Sequence, residues 1–92
     1  MPSAPVSVHE FAHDSAKRRY ALATYSNRQL EAIKGSLEGT VAGMRLTLSA
    51  LRYTGRIAVP AYEETQELLT RYEIALDQVR AKLAGRKRRG SR

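Results

Sequence analysis

The sequence predicts an all-α fold: an antiparallel helical hairpin with an additional N-terminal helix, completed into a helical bundle by oligomerisation. Three observations carry this. Prolines stand only at positions 2, 5 and 60. The interval between Pro5 and Pro60 is rich in Ala, Leu, Arg and Glu, all good helix formers. Apolar residues recur every three or four positions, and no segment shows the period-two alternation that marks a strand.

The first helix has a clear start. Ser7-Val8-His9-Glu10 is a capping box, with Val6 and Phe11 at the two positions of a hydrophobic staple. Val8, Phe11, Ala12, Ala16, Tyr20 and Ala23 form a weak apolar stripe behind it. A second start follows: Ser26-Asn27-Arg28-Gln29 is again a capping box, and Tyr25 with Leu30 again a staple. The stretch therefore reads either as one helix from Val8 to Arg52 or as two helices broken near Ser26. So long a helix is rare in a small domain, which favours the break.

From residue 30 the pattern strengthens. Leu30, Ile33, Leu37, Val41, Met44, Leu48 and Leu51 lie on one helical face. A second face carries small residues, chiefly Gly35, Gly39 and Gly43 with Ala32, Ser36 and Ala50. Three glycines in a helix cost about 3 kcal/mol of propensity relative to alanine. Close approach of another helix is the usual offset, so these glycines are expected to form a close-packing face. Glu31, Lys34, Glu38, Arg45 and Arg52 occupy the remaining wedge. The helix should touch two neighbours.

Tyr53, Gly55 and Pro60 mark the turn. Gly55 suits a left-handed helix end, and Pro60 suits the first turn of the next helix. On that helix Tyr62, Thr65, Leu69, Tyr72, Leu76, Val79 and Leu83 make a heptad seam, with Gly85 as its expected end. Residues 27–52 and 58–84 match in length at about 40 Å, and the short loop makes them antiparallel.

The chain of 92 residues allows one domain: a flexible N-terminus over 1–6, the helical body over 7–85 and a basic tail over 86–92. Cysteine is absent, which excludes a disulfide scaffold, Cys-ligated zinc and thiol catalysis. No apolar run is long enough to span a membrane. Met1 to Pro5 lacks the pattern of a cleavable signal peptide, so the expected location is the cytoplasm, or outside it by export without such a signal. The net charge of +7 is concentrated in Lys17, Arg18 and Arg19 and in the tail residues Arg86, Lys87, Arg88, Arg89 and Arg92. The tail is a candidate grip for nucleic acid or another polyanion. Lying beyond Gly85, it is expected to be dispensable for stability.

Two metal motifs overlap near the N-terminus. His9-Glu10-Phe11-Ala12-His13 matches H-E-x-x-H, the zinc-protease pattern. It lacks a third ligand: the metzincin continuation would need Gly at 16 and His at 19, where Ala16 and Arg19 stand. Glu10-x-x-His13 matches the di-iron motif of ferritin-like bundles, without the second copy those sites use. A surface pair of imidazoles is the plainer reading. No catalytic constellation is evident, so no enzymatic activity and no cofactor are expected.

Two helices of similar length joined at an aromatic-x-Gly turn resemble the Trp-x-Gly (ESAT-like) helical hairpins of type VII secretion. The matching stretch runs from Tyr53-Thr54-Gly55 to Ala58, Ala61 and Tyr62. Tyr53 stands where that family has Trp, and the family's C-terminal Tyr-x-x-x-Asp/Glu signal is missing, with Gln66 after Tyr62 and Leu76 after Tyr72. The resemblance implies a secreted or chaperoned dimer forming a four-helix bundle. The expected function is thus a small non-enzymatic module that oligomerises or pairs with a helical partner. The alternatives are a nucleic-acid-associated protein using its basic tail and a metal-binding bundle using His9, Glu10 and His13.

Overall fold

The computed structural model describes residues 6–55 and 60–90. Among them the protein is all-α, built from α1 (Val8–His13), α2 (Ser15–Thr24), α3 (Asn27–Tyr53) and α4 (Pro60–Gly90). Both capping boxes form. The Ser7 hydroxyl accepts from the Glu10 amide at 3.1 Å and Glu10 Oε1 from the Ser7 amide at 3.2 Å. Ser26 and Gln29 repeat the exchange at 3.2 and 2.8 Å, and the backbone leaves the helix at Tyr25 and Ser26. The long stretch is therefore broken near Ser26.

A further break, at Asp14, departs from the sequence expectation. Asp14 takes extended dihedrals, and its carboxylate accepts from the Ala16 and Lys17 amides at 3.0 and 3.1 Å, which caps α2. Arg18 seals the other side of the joint, donating to the Phe11 and Ala12 carbonyls at the end of α1 at 3.0 Å each. The break changes the register of the apolar stripe. Phe11 and Ala12 are buried as expected, but Ala16, Tyr20 and Ala23 are exposed, and Ala21 is buried in their place.

α3 and α4 form the antiparallel hairpin. The cross-helix pairs Glu38–Arg80, Arg45–Glu73 and Arg52–Tyr62 step in opposite directions along the two helices. At the turn Gly55 has φ +75°, and its amide donates to the Arg52 carbonyl at 3.0 Å. This is the left-handed geometry a side chain would strain. Pro60 opens α4. Ala58 and the rest of the connection lie outside the described residues.

Leu30, Ile33, Leu37, Val41 and Leu48 are buried on α3, and Tyr62, Tyr72, Leu76 and Val79 on α4. Met44, Leu69 and Leu83 pack partly against them. The leucine stripe is thus the seam within the hairpin. Ala75 joins it, fully buried. The α1–α2 elbow adds Phe11, Ala12 and Ala21 to the same cluster, which reaches from Leu30 to Met44 and from Leu69 to Leu83. Toward the turn the hairpin continues as two helices. The molecule is accordingly flat, with extents of 51 × 32 × 16 Å.

Both ends of the domain differ from expectation. Val6 is held: its amide donates to the Tyr25 hydroxyl at 2.8 Å, and its side chain packs against the core. α4 does not stop at Gly85 but continues to Gly90. The reason is Arg86, whose guanidinium donates to the Tyr25 carbonyl at 2.7 Å, to Asn27 Oδ1 at 3.0 Å and to the Leu22 carbonyl at 3.4 Å. These bonds hold the last turns of α4 against the joint between α2 and α3. No helix among the described residues is long and apolar enough to cross a membrane.

Candidate interaction surface

With Leu30, Leu37, Val41 and Leu48 turned to α4, helical geometry at 100° per residue fixes what the opposite side of α3 presents. An arc of about 140° carries Ala32, Gly35, Gly39, Gly43, Leu46 and Ala50, with Tyr53 at its end. All are exposed, Leu46 by 72% and Tyr53 by 93%. A Cβ added at Gly35, Gly39 or Gly43 would meet nothing within 4 Å. Within one chain these glycines are not a close-packing face, and α3 does not touch a second long helix there. Within the chain the elbow packs on the core side, so it supplies no second neighbour to this face.

Arg28, in the first turn of α3, stands on this face; beyond it charge is confined to the margin between this face and the seam. Arg45 pairs with Glu73 at 2.5 Å, Arg80 with Glu38 at 3.0 Å, and Lys34 with Glu31 at 3.3 Å. Arg52 donates to the Tyr62 hydroxyl at 2.6 Å and lies 5.8 Å from its ring centre. From Gln29 to Tyr53 the outer arc bears no charged residue.

The His9, Glu10 and His13 group is arranged otherwise than a metal site. Glu10 is turned to the Ser7 amide and to the Lys17 ammonium. The Lys17 hydrogen bond, and then the Ser7 amide, hold its carboxyl below the usual carboxylate range and raise the Lys17 ammonium in turn. The two imidazoles lie 4.3 Å apart, and His13 meets the Tyr72 ring edge-on at 5.7 Å. Arg71 approaches His13 Nδ1 at 3.2 Å. A guanidinium can only donate, so Nδ1 accepts and the neutral ring carries its proton on Nε2. That atom is buried without a partner. Burial first, then the His9 and Arg71 charges, lower the His13 pKa. Among the described residues no three His, Asp or Glu side chains gather where an ion could be held.

Of the basic residues at the C-terminal end, Arg86 is docked and half-buried while Lys87 and Arg88 are exposed. The side chain of Arg89 and all of Arg92 lie outside the described residues. Sequence reasoning missed the work of Asp14, Arg18 and Arg86. Asp14 carried a local signal, an acidic residue before Ser15 in N-cap position. The two arginines carried none, because their partners are backbone carbonyls six or more residues away.

The fold and this surface define a class: a flat helical hairpin with an elbow on one side and an open helix face. No protein-family model, no curated protein and no solved structure matches the chain.

Proposed function

We propose that the protein is a non-enzymatic helical interaction module that completes a bundle by laying the outer face of α3 against a helix of a second chain. One observation carries this reading. Three helical glycines, each costing about 1 kcal/mol relative to alanine, face open space on an uncharged arc that also exposes Leu46 and Tyr53. Small residues let a second backbone come close, and Leu46 and Tyr53 supply apolar area. The likeness to the Trp-x-Gly hairpins belongs with this reading, since it too implies paired hairpins.

The test is sedimentation of the purified chain at micromolar concentration, where self-association is expected. Leu48 is buried in the hairpin, so a charge there would damage the fold itself. Leu46 is the informative position. Leu46→Glu should leave helicity unchanged and abolish assembly. A fully helical monomer in the unmodified chain would overturn self-association.

A further inference from the structure

We propose that the end of the hairpin remote from the turn is a binding surface for the phosphate backbone of duplex nucleic acid. This inference is independent of the α3 face. It begins from a segregation of charge that folding completes. Residues 15–30 and 78–92 contain no acidic residue but hold 11 of the 16 basic ones. The two segments are far apart in sequence, and the structure joins them. Arg86 of α4 bonds to Leu22, Tyr25 and Asn27, where α2 meets α3.

Arg86 is thereby withdrawn from the surface and acts as its scaffold. The cations nearest along the chain to Arg86 and its partners are Arg19, one turn before Leu22; Arg28, next to Asn27; Lys82, one turn before Arg86 on α4; and Lys87. Arg19, Arg28 and Lys87 are exposed and Lys82 is half-exposed. None of the four holds an ion pair or hydrogen bond among the described residues. Of the three carboxylates that directly border the two segments, Asp14 is bound to the Ala16 and Lys17 amides and Glu31 to Lys34, while Asp77 is exposed before Gln78, at the edge of the surface. The surface is therefore cationic with its charges unspent. Multiple cations at one end of a rigid body suit a polyanion with closely spaced phosphates.

The surroundings favour a duplex. Single strands are gripped by stacking bases on aromatic rings, and Tyr20 is the one exposed large aromatic at this end among the described residues. A membrane surface would be met by apolar side chains beside the cations. Here the other large exposed apolar side chains lie elsewhere: Leu46, Tyr53 and Leu68 on the half of the hairpin toward the turn, and Ile74 midway along α4 beside His13 and Arg18. The contacts proposed are to phosphates, which carry no sequence information directly, so the binding is independent of base sequence.

The test measures binding of the full chain to a labelled 20-base-pair DNA across a salt series. Arg28→Gln/Lys87→Gln and, separately, Arg19→Gln/Lys82→Gln are compared with Lys34→Gln/Arg45→Gln, which removes the same charge elsewhere. Each of the first two pairs should weaken binding about tenfold or more and lower the slope of log K against log salt by about 1.8, at roughly 0.9 for each phosphate no longer neutralised. The third should change both much less. Circular dichroism confirms that each variant keeps its helices, and either informative pair suffices. Three results would overturn the proposal: no duplex binding near physiological salt, equal weakening in all three variants, or binding to phosphatidylserine vesicles without binding to the duplex.

Discussion

Arg86 donates to the backbone carbonyl of Tyr25 across 61 positions of sequence, at 2.7 Å. Tyr25 follows the last turn of α2, where carbonyls lack helical partners and the helix dipole is negative. A forked cation is well suited to that place. The same guanidinium reaches Asn27 at the start of α3. One side chain thus ties together α4, the end of α2 and the start of α3.

Removing that side chain should therefore be felt. Arg86→Ala is expected to cost about 1–2 kcal/mol, because charge-assisted hydrogen bonds at a half-buried site disappear. That corresponds to a fall in Tm of roughly 4–8 °C per kcal/mol in a domain of this size. Deleting residues 86–92 should cost at least as much, contrary to what their position beyond Gly85 suggests. Arg86→Lys should recover only part of the deficit. An unchanged melting curve for the deletion would show that these bonds contribute nothing.

Asp14 offers a second test. Asp14→Ala removes the acceptor for two amides of α2 and should destabilise the fold by about 1 kcal/mol. Helicity should not fall, because alanine at this position favours fusion of α1 with α2. Thermal melts and circular dichroism on the same sample separate the two effects.

The pH dependence follows from His13. Its folded pKa lies below the ordinary 6.5, because burial and the neighbouring His9 and Arg71 charges disfavour the imidazolium. The unfolded chain takes up this proton near pH 6.5 and the folded chain only at lower pH. The contribution of His13 is thus fully present above 6.5 and is lost as pH falls through the folded value. Tm should drop on acidification below 6.5, and less steeply in His13→Phe, which keeps a ring against Tyr72. Parallel curves for the two proteins would refute this.

Gly39 separates the isolated fold from assembly. Its added Cβ would meet nothing within 4 Å, so Gly39→Ala should raise the stability of the single chain by up to about 1 kcal/mol. The same change should weaken association through the α3 face. Denaturant melts at low concentration and sedimentation at high concentration read the two effects apart.

Much of this architecture was legible in the amino-acid sequence because it depends on chemistry within four or five residues. Ser7 with Glu10, Ser26 with Gln29, and Gly55 at a left-handed turn need no distant partner. The stripe from Leu30 to Leu51 and the seam from Tyr62 to Leu83 follow from helical periodicity alone, and so does the uncharged arc of α3.

What tertiary structure alone decided is how these pieces meet. Which face of α3 is covered was settled by α4 and by the elbow taking the same side, so the glycines stay open. The register shift that buries Ala21 rather than Tyr20 arises because Asp14 and Arg18 rebuild the chain direction between α1 and α2. The passage of α4 through Gly85 has the same origin. A glycine disfavours helix by about 1 kcal/mol, a local preference small enough to be reversed by the bonds from Arg86 to Leu22, Tyr25 and Asn27. Local preferences place helix starts and faces, whereas bonds between residues some sixty positions apart decide where the last helix ends and which charges it brings together.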